Sequence, residues 1–243
     1  MKKIAYKEMY ENEMTHGWYS GTRSLLSKTL SKYIDHNGKI LDAGCGTGGT
    51  MIFLKRLGYQ KITGIDKSKE AIYFCRKRGL RNIRSGSVNK LPFKNNTFDA
   101  IISLDVLYHQ GVNLKKALGE YSRVLKRNGV LYVQEPAYDW LRSSHDEMIK
   151  TGHRFTISEI YNFTRLVGLK IKKCTHFNTT FFLPILFLRL FNNLSGAKTN
   201  ASDVQKLNPL INTSLKIVLQ IEAKLISLVN FPFGLSIVCV AKK

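Results

Sequence analysis

A chain of 243 residues with 44% apolar and 23% charged side chains suits one large α/β core and excludes a mainly disordered protein. Five prolines and eighteen glycines exclude collagen-like and low-complexity chains. The formal net charge of +21 is the one extreme: it attracts anionic surfaces such as nucleic acid, acidic lipid headgroups or phosphorylated molecules, and it says nothing about fold.

Four cysteines, Cys45, Cys75, Cys174 and Cys239, stand far apart without a CxxC pair, which excludes a zinc ribbon and argues against a disulfide framework. Reduced thiols in a cytoplasmic protein without a metal site are expected. Residues 1–10 lack the apolar core of a secretion signal. The most apolar stretch, 181–194, is interrupted by Pro184 and Arg189 and is too short to span a bilayer. A soluble protein is expected, with peripheral contact with a membrane left open.

In chain order, Lys39-Ile40-Leu41-Asp42 reads as a strand running into a glycine turn, and 50–57 as the helix after it. Residues 61–66 form a second strand, followed by a helix that Ser68 caps and that runs through Arg78. A weaker third strand covers 82–84. The fourth, 98–104, contains Ala100-Ile101-Ile102, an apolar run suited to burial on both faces. The pattern Leu114, Ala117, Leu118, Tyr121, Leu125 predicts a helix that stops at Asn128-Gly129. A fifth strand, 130–135, ends at Pro136, and a helix over 158–167 closes at Gly168. Strands at 169–177 and 234–242 complete the set, separated by about fifty strongly apolar, mostly helical residues. Strands alternating with helices predict a parallel sheet.

The stretch Asp42-Ala-Gly44-Cys45-Gly46-Thr-Gly48-Gly49 is the most informative. Glycines between a strand and a helix permit a tight turn, close approach of a ligand and close helix–strand packing, at a helix end whose backbone N–H groups are free. The GxGxG spacing is neither the Walker pattern nor a full GxGxxG. Asp66 closes the second strand, where an acid meets a ribose hydroxyl pair in nucleotide-binding βαβ units. Together they point to a nucleoside-containing ligand.

These residues resemble the class I S-adenosylmethionine-dependent methyltransferases, in the broad group that includes quinone-biosynthesis and small-molecule enzymes (methyltransferase type 11-like). The resemblance is carried by 40–48, Gly64-Ile-Asp66, Leu91-Pro-Phe93, 98–109 and 124–133. It implies a Rossmann-like, doubly wound seven-stranded sheet with a reversed last hairpin, and S-adenosyl-L-methionine as cofactor. Position by position, it implies that Asp42 faces the methionine end and that Gly44, Cys45, Gly46 and Gly48 contact the cofactor by backbone. Asp66 would accept both ribose hydroxyls and Lys67 would flank the adenine. Ser87 and Val88 stand where the family has an Asp-Ala pair, a departure at the adenine amine. Leu104 would offer a carbonyl to the methionine ammonium.

The flanks resemble a narrower subgroup. Glu13-Met-Thr-His16-Gly-Trp18-Tyr-Ser-Gly21-Thr-Arg23 is similar to its His-Trp-Trp-Phe-x-Gly-Arg-Arg motif, and 135–146 to its Pro-Ala-Tyr…Ser-x-His-Asp stretch. Arg23, a fork donor, suits a cofactor carboxylate. Methyl transfer from a sulfonium needs positioning, and a base only when the acceptor must lose a proton. His109, just past the fourth strand, His16 beside Trp18, and His145 next to Asp146 are the candidates; each could equally be a hydrogen-bonded wall residue. His153 falls at an arginine position of the subgroup and receives no role.

The expectation is therefore a methyltransferase with a small-molecule or lipid-linked acceptor. It divides into an N-terminal helical lid (1–36), a cofactor-binding domain (37–177 with 233–243) and an apolar helical insertion (178–232). Two alternatives stand beside it: an RNA-binding or RNA-modifying protein using the basic run 67–84, and a non-catalytic cofactor-binding module. The absence of an Asn/Asp-Pro-Pro-Tyr motif and of a Pro-Cys nucleophile argues against nucleic-acid methylation. Apolar helices with basic flanks suit an anionic membrane surface or a lipid-tailed acceptor, and equally suit packing on each other, on the sheet or across a dimer.

Overall fold

The computed structural model describes residues 3–194 and 206–243. Two helices, α1 (Lys3–Asn12) and α2 (Gly17–Leu30), precede the sheet, whose strands are β1 (Ile40–Ala43), β2 (Ile62–Asp66), β3 (Ile83–Ser85), β4 (Phe98–Leu104), β5 (Leu125–Pro136), β6 (Lys170–Phe177) and β7 (Ser236–Lys242). Between them lie α3 (Gly49–Arg56), α4 (Lys69–Lys77), α5 (Leu114–Val124), α6 (Ser144–Ile149), α7 (Ile157–Leu166), α8 (Phe182–Leu194) and α9 (Pro209–Leu225).

The strand order is β3-β2-β1-β4-β5-β7-β6. The first five strands are parallel; β7 runs antiparallel to both β5 and β6. This is the doubly wound sheet with a reversed last hairpin expected above. Alternation of side chains divides the core in two. Leu41, Ile65, Ile101, Leu131 and Val133 face α5 and α7 through Leu118, Tyr121 and Ile160. Ile40, Ile62, Ile102 and Tyr132 face the other way, against Leu26, Leu30, Met51, Leu54 and Leu219 of α2, α3 and α9. The order reverses between β1 and β4, and their carboxyl ends open the crevice where ligands bind in such sheets.

Local chemistry sets the helix ends. Ser68 accepts the Ala71 N–H (3.3 Å) at the start of α4, and Asn113 accepts that of Lys116 (2.9 Å) at the start of α5. Thr156 and Glu159 form a capping box on α7. One boundary differs from expectation. The helix over 114–125 ends at Val124, and Asn128 is not its cap but a left-handed turn residue (φ 66°) inside the long strand β5. The Asn128 N–H donates to Lys243 O (3.0 Å), so pairing beside β7 takes over residues that local signals assign to a helix end.

Helix α9 lies on α2 at close range. A Cβ on Gly21 would sit 2.4 Å from Leu219 Cβ, and one on Gly17 would sit 2.8 Å from Asn212 O. The Gly17 N–H donates to Asn212 Oδ1 (2.7 Å), and Asn212 Nδ2 donates to Thr15 O (3.0 Å). Among the described residues no helix is long and apolar enough to cross a membrane.

Candidate active site

A cavity of about 870 Å³ occupies the carboxyl ends of β1, β2 and β4 and is covered by α1, α2, α8 and α9. Its polar half begins at the glycine loop. Gly44 takes φ 85°, and its N–H and that of Cys45 both donate to Ile65 O (2.8 and 3.0 Å). A Cβ there would collide with Val106 Cγ2 at 2.4 Å, so only glycine fits. The Asp66 carboxylate, at the cavity wall, accepts the N–H groups of Gly46 (3.0 Å) and Ser68 (2.9 Å), which locks loop and acid together. Gly48 is not among the lining residues. It faces the end of α4, where a Cβ would meet Cys75 at 3.0 Å and Leu80, just beyond the helix, at 2.4 Å, so its role in the structure is helix packing. The Cys45 thiol lies 4.0 Å from that of Cys75, which donates to Gly46 O (3.2 Å).

Asp42, at the end of β1, is 2% exposed, and its Oδ2 has no hydrogen-bond partner in the structure. Burial, reinforced by the charges of Glu13 and Asp66, pushes its pKa up to about 7. Arg23 is buried beside it. One guanidinium nitrogen donates to Glu13 O (2.7 Å) and another meets Glu13 Oε2 at 3.5 Å, while Nε has no partner. Glu13 also accepts from the Thr47 hydroxyl and from Arg78 (2.9 Å), whose guanidinium lies over the Tyr10 ring and donates to Thr47 O (2.9 Å). Glu13 thus ties α1, α2 and α4 to the glycine loop. The sequence reading missed it as a site residue; its partners lie 10, 34 and 65 positions away, beyond any local spacing rule.

His16 caps α2: Nδ1 accepts the Trp18 N–H (3.2 Å), and the buried Nε2 lacks a partner at the cavity wall. Burial lowers its pKa. Lys67, Ser87, Val88 and Leu104 line the cavity as well; Ser87 Oγ accepts the Asn89 N–H (3.2 Å).

The loop after β4 carries two further lining groups. His109 stacks on Tyr108 (ring centroids 4.2 Å apart), and burial pulls its pKa down to about 4, so it is neutral at neutral pH. Asp105 was not singled out from the sequence. It takes a left-handed conformation (φ 54°), and burial raises its carboxyl to about 7 despite the pull of Arg154. Below them Glu135 accepts the N–H groups of Val106 (3.2 Å), Leu107 (2.9 Å) and Tyr108 (3.2 Å), and so fixes the loop. The side chain of His145 lies outside the described residues. Its neighbour Asp146 accepts a fork of hydrogen bonds from Arg154 (2.7 and 2.9 Å) and one from the Ser143 N–H (2.8 Å), a helix-capping ion pair. His153 is paired with Glu159 (2.9 Å).

The other half of the cavity is mainly apolar, walled by Phe181, Ile185 and Leu188 on the α8 side, where Arg189 also lines it, and by Leu207, Ile211 and Leu215 on the α9 side. The basic run 67–84 does not make one stripe: Lys67 lines the cavity, Arg78 is engaged by Glu13, and Arg84 lies over the Phe93 ring. Among the described residues no group of three or more His, Cys, Asp or Glu is placed to hold a metal.

Comparison with known proteins agrees with this architecture. Residues 41–133 match the family model of a methyltransferase domain. The chain is 32% identical over 139 residues to 24-methylenesterol C-methyltransferase 3 of Arabidopsis thaliana, 54% of this chain and 37% of that protein. It is 36% identical over 112 residues to the phthiotriol/phenolphthiotriol dimycocerosates methyltransferase of Mycobacterium leprae, 44% of this chain and 39% of that one. The matched region spans less than half the length of these curated relatives. The solved structure of a putative sarcosine dimethylglycine methyltransferase from Galdieria sulphuraria shares the fold, with a TM-score of 0.61 at 20% identity over 91% of this chain and 85% of that one.

Proposed function

We propose that the class I methyltransferase domain carried by residues 41–133 binds S-adenosylmethionine in the polar half of the cavity and methylates an apolar, lipid-linked acceptor held in the other half. The single observation that carries this reading is the two-faced cavity, with buried polar atoms lacking partners at one end and six apolar side chains from the α8 and α9 region at the other. Relatives named for a sterol and for dimycocerosates support an acceptor of that kind.

The residues fit the cofactor. Asp42 Oδ2 is a buried acceptor suited to an ammonium, Arg23 Nε a buried donor suited to a carboxylate, and Asp66 an acceptor for a ribose diol. Bound there, S-adenosylmethionine supplies a methyl group on a sulfonium, a leaving group that needs no acid. The chain's task is then alignment and exclusion of water. Glu13, Thr47 and Arg78 hold the α1–α2 cover against the glycine loop, which closes the polar end. Glu135 holds the loop that presents Asp105 and His109 to the acceptor. A neutral imidazole and a carboxyl poised near 7 are each able to take a proton from a hydroxyl acceptor, at a ring nitrogen of His109 or a carboxylate oxygen of Asp105.

The test uses methyl-labelled cofactor with cell extracts separated into lipid and water-soluble fractions. Label is expected in an organic-soluble product, in amounts reduced by Asp105→Asn and His109→Ala. Label confined to water-soluble small molecules or RNA, from protein that binds the cofactor calorimetrically, overturns the acceptor assignment.

A further inference from the structure

One side of α9 packs on α2 and the sheet through Leu219, Ala223 and Ile226. Its opposite side carries Leu210, Ile217, Ile221 and Leu225, spaced seven, four and four residues apart, which places them along one stripe. All four are exposed, Leu210 at 79%, and Leu228 just beyond the helix is equally bare at 79%. Helix α8 adds Leu183, Phe187 (67%) and Leu188. Isolated surface leucines are ordinary, but seven exposed apolar side chains on two helices that wall the same cavity mark a contact surface. The array runs into the cavity, because Leu188 and Ile211 are both exposed and cavity-lining.

The exposed charge along α9 has one sign. Between 206 and 229 the charged residues are Lys206, Lys216, Glu222 and Lys224. Glu222 is buried and accepts the N–H groups of Thr179 (2.8 Å) and Thr180 (3.3 Å), so the exposed charges are all lysines. At the carboxyl end of α9, Lys28 lies close enough to Lys224, and Lys173 to Lys32, for their charges to oppose each other. Lys173 also donates to Val229 O (2.9 Å), which fixes this cluster beside Leu225 and Leu228. Lysines held together around bare apolar side chains are complementary to an anionic layer with an apolar interior. They oppose a second copy of the same face.

We propose that the exposed sides of α8 and α9, ringed by Lys28, Lys32, Lys173, Lys216 and Lys224, dock on the surface of an anionic lipid bilayer, with the cavity mouth toward the membrane. The apolar stripe enters the headgroup boundary while the lysine stems keep their ammonium groups among the phosphates. The docking deepens the reading above by naming the surface from which the acceptor is drawn, although binding to lipid does not itself depend on methyl transfer.

The experiment is flotation of the full chain with vesicles of phosphatidylcholine alone or with 30 mole per cent phosphatidylglycerol, at ~150 mM and ~500 mM salt. The protein is expected to float with the anionic vesicles at the lower salt, and to be left behind by neutral vesicles and by the higher salt. Each lysine at the surface contributes about fivefold in partitioning, so Lys216→Glu with Lys224→Glu should cut binding at least tenfold. Leu210→Gln with Ile217→Gln should do the same, and Ile217→Gln alone should give a partial loss. Calorimetry with S-adenosylmethionine and the thermal midpoint verify that each variant is folded, and a loss there reports failure of the methyltransferase reading separately. No flotation on anionic vesicles, or flotation indifferent to both pairs of substitutions, overturns the proposal. So does a wild-type dimer that the glutamine pair converts to monomer without any vesicle binding.

Discussion

Asp42 shows what burying an acid without a partner does to a protein. Its carboxyl, raised from an ordinary 3.8 to about 7, is held protonated by the fold, so the stability it permits is present below about pH 4 and is lost as pH climbs through 7. Asp105 at about 7, and Glu135, pushed up by burial, act in the same direction. His109 and His16, whose pKa values burial lowers, act the other way up to pH 6.5, so the thermal midpoint of the ligand-free protein should fall between about pH 6.5 and pH 8, and Asp42→Asn should flatten part of that slope. Binding a cationic ammonium beside Asp42 favours its charged form. Calorimetry at pH 6 in buffers of different ionisation heat should accordingly detect proton release on S-adenosylmethionine binding, and less of it in Asp42→Asn. Asp66→Ala removes a proposed acceptor for two hydroxyls and should weaken that binding by about 1.5–3 kcal/mol; unchanged affinity would exclude the assigned pocket. That Asp42, Gly44, Gly46 and Asp66 come together at one cavity wall was legible because the signal lies in spacing along a strand, a turn and a helix, whereas Gly48 faces away from it. Glu13 and Glu135 were not legible, since each acts on backbone or side chains brought together only by the finished sheet.

At the scale of elements, the contact between α2 and α9 leaves no room for an added side chain. Alanine is favoured over glycine in a helix by about 1 kcal/mol. At Gly21, however, the added methyl would lie 2.4 Å from the Cβ of Leu219, an atom that cannot turn aside without its backbone. Overpacking costs about 1–3 kcal/mol and wins, so Gly21→Ala should lower the thermal midpoint. Leu219→Ala in the same chain should restore part of the loss despite being destabilising alone, a coupling that a double-mutant cycle reads directly. The sequence announced α9 by composition but left its partner open, because an apolar helix carries no mark that tells sheet, helix or membrane apart. The structure gives a divided answer: Leu219, Ala223 and Ile226 face the protein, while Leu210, Ile217 and Ile221 face out. The boundary at Asn128-Gly129 was misplaced for a related reason, since a left-handed Asn serves a helix cap and a turn within a strand equally well.

For the whole molecule, the strand order was legible through family resemblance more than through local pattern. Nothing in the short runs at 169–177 and 234–242 says that the later strand inserts between β5 and the earlier one. That insertion has a consequence for synthesis. In the sheet β6 pairs with β7, and α2, made early in the chain, finds α9 nearly two hundred residues later. A nascent chain that has emerged only through Val229 carries α9 and six of the strands but lacks β7, and so exposes the edges of β5 and β6, a state open to aggregation and to protease. Ribosome-bound chains that end at residue 229 and are stalled on a following linker should be cut rapidly in limited proteolysis and should not retain labelled cofactor. Those stalled on a linker beyond residue 243 should resist and retain it. A strand inserted late is thus expected to make folding wait for synthesis, so that a pocket whose polar floor is complete by β4 should come into use only once β7 has emerged from the ribosome.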